Sequence, residues 1–135
     1  MNRRCLSTFA VAAGLLVFTM SSRPLMALGL KEYQASIDAL VIEDPDFSQL
    51  TDGSYSGRFE TKLVSAEVLV HLASGRITAI DLVEHKKGKG GPAEAITRQV
   101  IVQQSLAVDV VSGATASSKV ILKSIEAAIK PEEER

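Results

Sequence analysis

One cysteine is all the thiol this sequence contains. No intramolecular disulfide can form, and a Cys-based metal cluster is excluded. Its only histidines, His71 and His85, show no H-E-x-x-H or comparable spacing, so no metal centre is expected. The phosphate-cradling G-x-x-x-x-G-K-[ST] loop, the dinucleotide fingerprint and the nucleophile elbow are all absent. Nothing supports catalysis by this chain alone. There is also no surplus of positive charge: the formal net charge is −1. Nucleic acid is therefore not the expected partner, because neutralising phosphates needs a basic surface. Nor is there a long hydrophobic run. The apolar stretch from Phe9 to Phe18 is shorter than the roughly 18 residues that a spanning helix needs.

That stretch has another meaning. Arg3 and Arg4 precede it, and Ser21-Ser22-Arg23-Pro24 and the small residue Ala27 follow. A basic start, an apolar core and a small residue at the end form a secretory signal. Residues 1–27 are read as that signal and the mature chain as starting near Leu28, with an uncleaved anchor as the alternative. Cleavage would remove Cys5, and only an uncleaved signal would bring the chain into contact with the membrane. It would also leave twelve basic against sixteen acidic residues, a net charge near −4. The expected location is periplasmic, or the extracellular face of the cytoplasmic membrane.

Within the mature chain, Leu30, Tyr33, Ile37 and Leu40 fall at helical spacing, which predicts a helix over 30–42. Glu43-Asp44-Pro45-Asp46 ends it. Asp52 to Gly57 reads as a turn running into a strand that carries Tyr55 and Phe59. From Val64 to Leu72 alternate residues are apolar, Ser74-Gly75 signals a tight turn, and Ile77 to Val83 returns. Lys86 to Pro92 is a positively charged glycine loop. A helix over 93–105 follows, then a β-like approach over 106–111. A last helix over 116–130 carries Ile121, Ile125 and Ala128 on one stripe and stops at Pro131. The pattern predicts an α+β fold: a small antiparallel sheet with a hairpin, packed against two to three helices in a single domain. Its parts are 28–50 (helix and connection), 51–130 (the main domain) and 131–135 (a charged tail).

The informative segment runs from Val108 to Ser118. An apolar approach delivers the small residues Gly113 and Ala114 to the start of a helix, where backbone N–H groups lack partners and the helix dipole is positive. Such a start accepts a phosphate. Ser112, Thr115, Ser117 and Ser118 place hydroxyls at the same point. A plain helix cap would use the same residue types. On these residues alone, an anion site and a cap both stand.

The run Asp109, Ser112-Gly113-Ala114-Thr115 and Ser117 resembles the flavinylation motif of the FMN-binding domain family, which includes the peripheral flavin subunits of the sodium-pumping NADH:quinone oxidoreductase and of the Rnf complex. Asp52-Gly53-Ser54-Tyr55-Ser56-Gly57, Ser74-Gly75-Arg76-Ile77, His85-Lys86-Lys87 and Ile101 to Ser105 resemble other family segments in the same order, so the likeness covers about 51–130. The resemblance implies a redox carrier rather than a self-sufficient enzyme. It further implies FMN joined by a phosphoester to a motif hydroxyl by a separate flavin transferase, outside the cytosol. By position Thr115 is the acceptor; Ser112, Gly113, Ala114, Ser117, Ser118 and Asp109 complete the cofactor site. Some members have Thr at the position of Ser117, which leaves that hydroxyl as the second candidate. The implied partners are the transferase and a membrane or extracytosolic redox protein. A module that holds FMN or another anion without a covalent bond, and an accessory domain that has lost its cofactor, are the alternatives.

The remaining candidates have plainer expectations. His71 is read as solvated on a polar strand face, His85 as an exposed loop residue with contact to the flavin or a partner as the alternative, and Tyr55 and Phe59 as core packing rather than flavin contacts. N-terminal sequencing of the native protein tests the export signal. The expected outcome is a chain starting near Leu28 in the extracytosolic fraction; a cytosolic chain that starts at Met1 contradicts it.

Overall fold

The computed structural model describes residues 23–86 and 91–130, with the backbone alone for 23–27. Expectations for the rest of the signal segment, for Lys87 to Gly90 and for the tail from Pro131 onward lie outside the described residues. The elements are helix α1 (Arg23–Asp38), strands β1 (Gly53–Glu60), β2 (Ser65–Ala73) and β3 (Arg76–Lys86), and helices α2 (Ile96–Gln103) and α3 (Thr115–Ile129). Short 3-10 turns at Phe47–Gln49 and Gly91–Ala95 precede β1 and α2. The sheet is antiparallel in the order β1-β2-β3; α3 packs across β1 and β2, α2 against β3, and α1 against α3. This is the α+β architecture expected from the sequence.

β2 alternates as its sequence demands. Val64, Ala66, Val68, Val70 and Leu72 are all buried against the helices. Each fully buried valine stabilises the fold by about 1.5–3 kcal/mol relative to exposure. β3 is less simple. Its register against β2 slips twice, between Glu67 and Val68 and between His71 and Leu72. Each slip leaves one extra β3 residue, Val83 and Thr78, unopposed, which is a β-bulge. Strict alternation from Ile77 would have put Asp81 on the core face. The bulges instead place Ile77, Ile80, Leu82 and His85 opposite Leu72, Val70, Val68 and Ala66, and send Asp81 outward.

α3 crosses β1 and β2 at very close range. A Cβ on Gly57 would overlap the carbonyl oxygen of Ser124 and the backbone of Ala128. Only glycine permits that approach. Ser124, fully buried, donates its hydroxyl to the carbonyls of Ala66 (3.0 Å) and Val120 (2.8 Å), so its polar atom is satisfied inside the core. Val120, Ile121, Leu122, Ile125, Ala128 and Ile129 fill the space between α3 and its neighbours.

The first helix differs from expectation. α1 ends at Asp38, not at residue 42. It has no basic residue in its last turn, and α3 supplies one: Lys119 Nζ donates to the carbonyls of Ile37 (3.0 Å) and Asp38 (3.2 Å). An ammonium at that end satisfies orphan carbonyls and opposes the helix dipole. Beyond it the chain is extended along α3, where Lys123 Nζ donates to Val41 O at 2.9 Å and Glu126 accepts from the Glu43 N–H at 3.2 Å. Lys130 pairs with Glu43, and that hydrogen bond holds the Glu43 carboxyl below its ordinary range. Leu40 and Ile42 are still half-buried, but on an extended strap rather than a helix. The segment 106–111 likewise differs, because it joins no strand ladder. Leu106 is buried and Val108 and Val111 are half-buried, a spacing that anchors an extended coil at intervals without a strand partner.

The close approach generates a stability prediction. Gly57→Ala should cost at least about 2–3 kcal/mol in urea unfolding, because the obstructing atoms are backbone and cannot rotate away. A loss below about 0.5 kcal/mol, the range of ordinary surface substitutions, would mean that α3 is not seated on β1 as described.

Candidate functional site

The site is built from the end of α2 onward. Gln104 follows α2 in the left-handed region (φ 51°), a C-terminal conformation more usual for glycine or asparagine. Its side-chain amide behaves as a piece of strand. Oε1 accepts from the Ile77 N–H at 2.8 Å, while Nε2 donates to Ile77 O at 2.8 Å and to Ile101 O at 2.6 Å. The next two residues are held by Asp44 of the strap: its carboxylate accepts from Ser105 Oγ at 2.6 Å and from the Leu106 N–H at 2.9 Å. The chain therefore leaves α2 in a fixed direction, and Leu106 is pressed into the core.

At the far end of the approach, Ala114 N–H donates to Val111 O at 3.0 Å, closing a turn with Ser112 and Gly113 at its centre. Gly113 has φ 78°, a conformation that costs other residues about 1 kcal/mol or more. A Cβ there would meet nothing within 4 Å, so this side of the turn faces open space. α3 then starts. Ala114 is its N-cap residue, the first backbone bond runs from Ser118 N–H to Ala114 O (2.9 Å), and no side chain caps the start. Ala114 has no side-chain oxygen to offer, so the early N–H groups of α3 receive no cap from within. The contrast lies within the same chain: at the 3-10 turn Phe47–Gln49, Asp46 accepts from the Ser48 N–H and closes the start.

Each sequence-predicted site residue has a definite place. Ser112 and Gly113 are exposed on the turn, Ala114 is buried, and Thr115 is half-buried as the first residue of α3. Ser117 is 3% exposed and Ser118 fully buried. Ser118 Oγ accepts the Val111 N–H at 3.0 Å, so this serine ties both sides of the turn together. Asp109 is exposed on the approach, before the turn.

Three other expectations are revised or refined. His71 is not simply solvated. Its Nδ1 is 2.8 Å from Ser54 Oγ and its Nε2 is 2.9 Å from Asp81 Oδ2, a hydrogen-bonded row across all three strands of the outer face. The row exists because the bulge at Thr78 turns Asp81 outward. His85 is not an exposed loop residue. β3 runs on to Lys86 and the second bulge puts His85 in the core row, where its side chain is 3% exposed. Tyr55 and Phe59 pack against the core, and the Tyr55 hydroxyl donates to Thr51 O at 2.7 Å. Sequence reasoning missed Gln104 and Asp44. The first looked like a helix end and the second like part of a polar connection, and neither pattern signals the backbone groups they meet.

An uncapped helix start, reached through a positive-φ glycine turn and bearing a hydroxyl on its first residue, is the kind of start that accepts a phosphate, here in an α+β domain. The family model for the FMN-binding domain matches residues 64–130, and the domain belongs to that family. Its role is accordingly flavin binding. The matched span runs from the start of β2 through the end of α3 and includes the whole turn. No curated protein matches the chain.

The open side of the turn can be tested directly. Gly113→Val forces a β-branched residue into positive φ and fills the approach to the N–H groups. It should keep the circular dichroism spectrum, lose about 1–3 kcal/mol of stability and take up at least tenfold less FMN. A folded variant with undiminished uptake would show that the cofactor does not come near this turn.

Proposed function

We propose that this domain is an exported flavoprotein that carries FMN covalently on Thr115 and passes electrons between extracytosolic partners. The observation that supports it most is the open start of α3. The residues there suit the group: a phosphate needs donors without partners, and the early amides of α3 have no side-chain cap. Thr115 is the helix's own first residue, so its hydroxyl stands beside those amides. Ser117 and Ser118 are buried under the same turn, and the Ser118 hydroxyl already serves Val111. They shape the site, and Thr115 carries the bond.

Attachment needs one substitution at phosphorus. The Thr115 hydroxyl oxygen attacks the flavin-side phosphorus of FAD, the pyrophosphate P–O bond breaks, AMP leaves, and the threonine proton passes to a base. An alcohol is a poor nucleophile unless a base and a metal activate it, and in this reading the transferase supplies both. The amides of α3 then hold the phosphodiester, and the Gly113 turn lets it lie close to the backbone. Bound flavin supplies one- or two-electron transfer. A covalent bond suits an extracytosolic carrier, because a dissociated cofactor would be diluted and lost.

Intact mass spectrometry tests the assignment on protein co-expressed with a flavin transferase and exported. Wild type should gain the mass of FMN less one water, and Thr115→Ala should gain none. Ser117→Ala should remain labelled. Ser118→Ala should be labelled less completely, because the Val111 N–H loses its partner. Flavin on Ser117 in the Thr115→Ala protein would overturn the choice of hydroxyl. Wild type whose flavin stays in solution after acid precipitation would replace the covalent carrier with a non-covalent holder.

A further inference from the structure

Among the described residues, His85 alone has buried side-chain nitrogens that make no hydrogen bond, and this is true of both Nδ1 and Nε2. Its side chain is 3% exposed. Glu94 Oε1 approaches Nδ1 to 3.5 Å without completing a hydrogen bond to it. Buried polar atoms in this condition destabilise a fold, and natural proteins keep them where a ligand, a water or an ion completes them.

The position of His85 says which. It stands opposite Ala66 in the row that faces the helices. α3 is fixed over that row: Ser124 reaches the carbonyl of Ala66, and one turn later Ala128 lies against Gly57, the register partner of Val68. From Ser124 to Ala128 the helix therefore advances along β2 from Ala66 toward Val68. Its earlier residues, back to Thr115, overhang the opposite end of the sheet, where His85 sits. Two further contacts agree. Lys119 is tied to the end of α1, and Tyr33 of α1 meets Thr61, just beyond β1, at 3.1 Å.

We propose that His85 is a cofactor-contacting residue, whose imidazole supplies an N–H to FMN held at the start of α3. The proposal rests on the flavin reading above. It gives a reason for the unpaired imidazole: the missing partner arrives with the cofactor. It also gives the bulge at Val83 a use, since without it the side chain at 85 would point to the outer face.

The full chain, His85→Leu and His85→Gln are compared without FMN and after loading with it. Leucine is close to histidine in volume and removes the unpaired nitrogens, so the unloaded His85→Leu chain should unfold at the wild-type temperature or above it. Its initial rate of FMN loading should fall about tenfold, the worth of one good hydrogen bond. Gln keeps a donor, and His85→Gln should load within about threefold of wild type on the same argument. In histidine-labelled wild type, FMN loading should move the His85 ring nitrogen resonances and slow exchange of one ring N–H. Wild-type loading by His85→Leu, with lowered stability when unloaded, overturns the proposal and makes His85 a packing residue. Should that variant not fold, the labelled wild type decides, and unmoved His85 resonances on loading overturn the proposal. Wild type that takes up no FMN in any form sinks the flavin reading itself; FMN uptake with an indifferent His85 sinks only this inference.

Discussion

The seat of α3 on the sheet is the contact on which the rest of the structure depends. Gly57 lets the helix backbone approach β1 with no side chain between them, and Ser124 fixes the register along β2 through the carbonyl of Ala66. Once that is set, the helix start overhangs one end of the sheet, and Lys119, Lys123 and Lys130 draw the N-terminal strap along its flank. The strap in turn brings Asp44 to the chain that leaves α2. One close helix–strand contact thus reaches the turn before α3 by two routes, directly through α3 and indirectly through the strap.

The site combines a rigid surround with an open centre. Three backbone groups of the turn and its approach have named partners: Val111 N–H has Ser118, Ala114 N–H has Val111, and Leu106 N–H has Asp44. The early amides of the helix have no side-chain cap, an arrangement that suits a phosphate without reorganisation. Donors already aimed lose little freedom when the ligand binds, so more of the interaction appears as affinity.

Much of this was legible in the sequence, for specific reasons. β2 and α3 bury one face each, so their periods of 2 and 3.6 appear plainly in Val64 to Leu72 and in Ile121, Ile125 and Ala128. The turn was visible because glycine and small hydroxyl residues have few reasons to cluster before a helix. What failed were places where a long-range partner decides the local structure. α1 stops early under Lys119, far away in sequence, although Leu40 and Ile42 continue an apolar pattern. Residues 106–111 look strand-like, but no strand accepts them. Gln104 and Asp44 act through main-chain atoms, which leave no trace in side-chain pattern. His71 was placed on the right face, but its partner Asp81 was hidden by the bulge at Thr78, which has no residue signature; His85 was misplaced because β3 runs on past Val83 to Lys86.

Those bulges carry an evolutionary consequence. In a strand that alternates strictly, deleting one residue inverts every position beyond it. In β3, deleting Thr78 or Val83 would remove the unopposed residue itself, so every other β3 residue would keep its partner and its face. Without Thr78, Ala79 would follow Ile77 in regular alternation and Asp81 would still face outward; without Val83, Glu84 would follow Leu82 and His85 would stay in the core row. The strand thus has two joints at which the loss of one residue is absorbed, whereas a loss between them inverts the positions beyond it. Length variation among related chains is then expected to collect at these two joints.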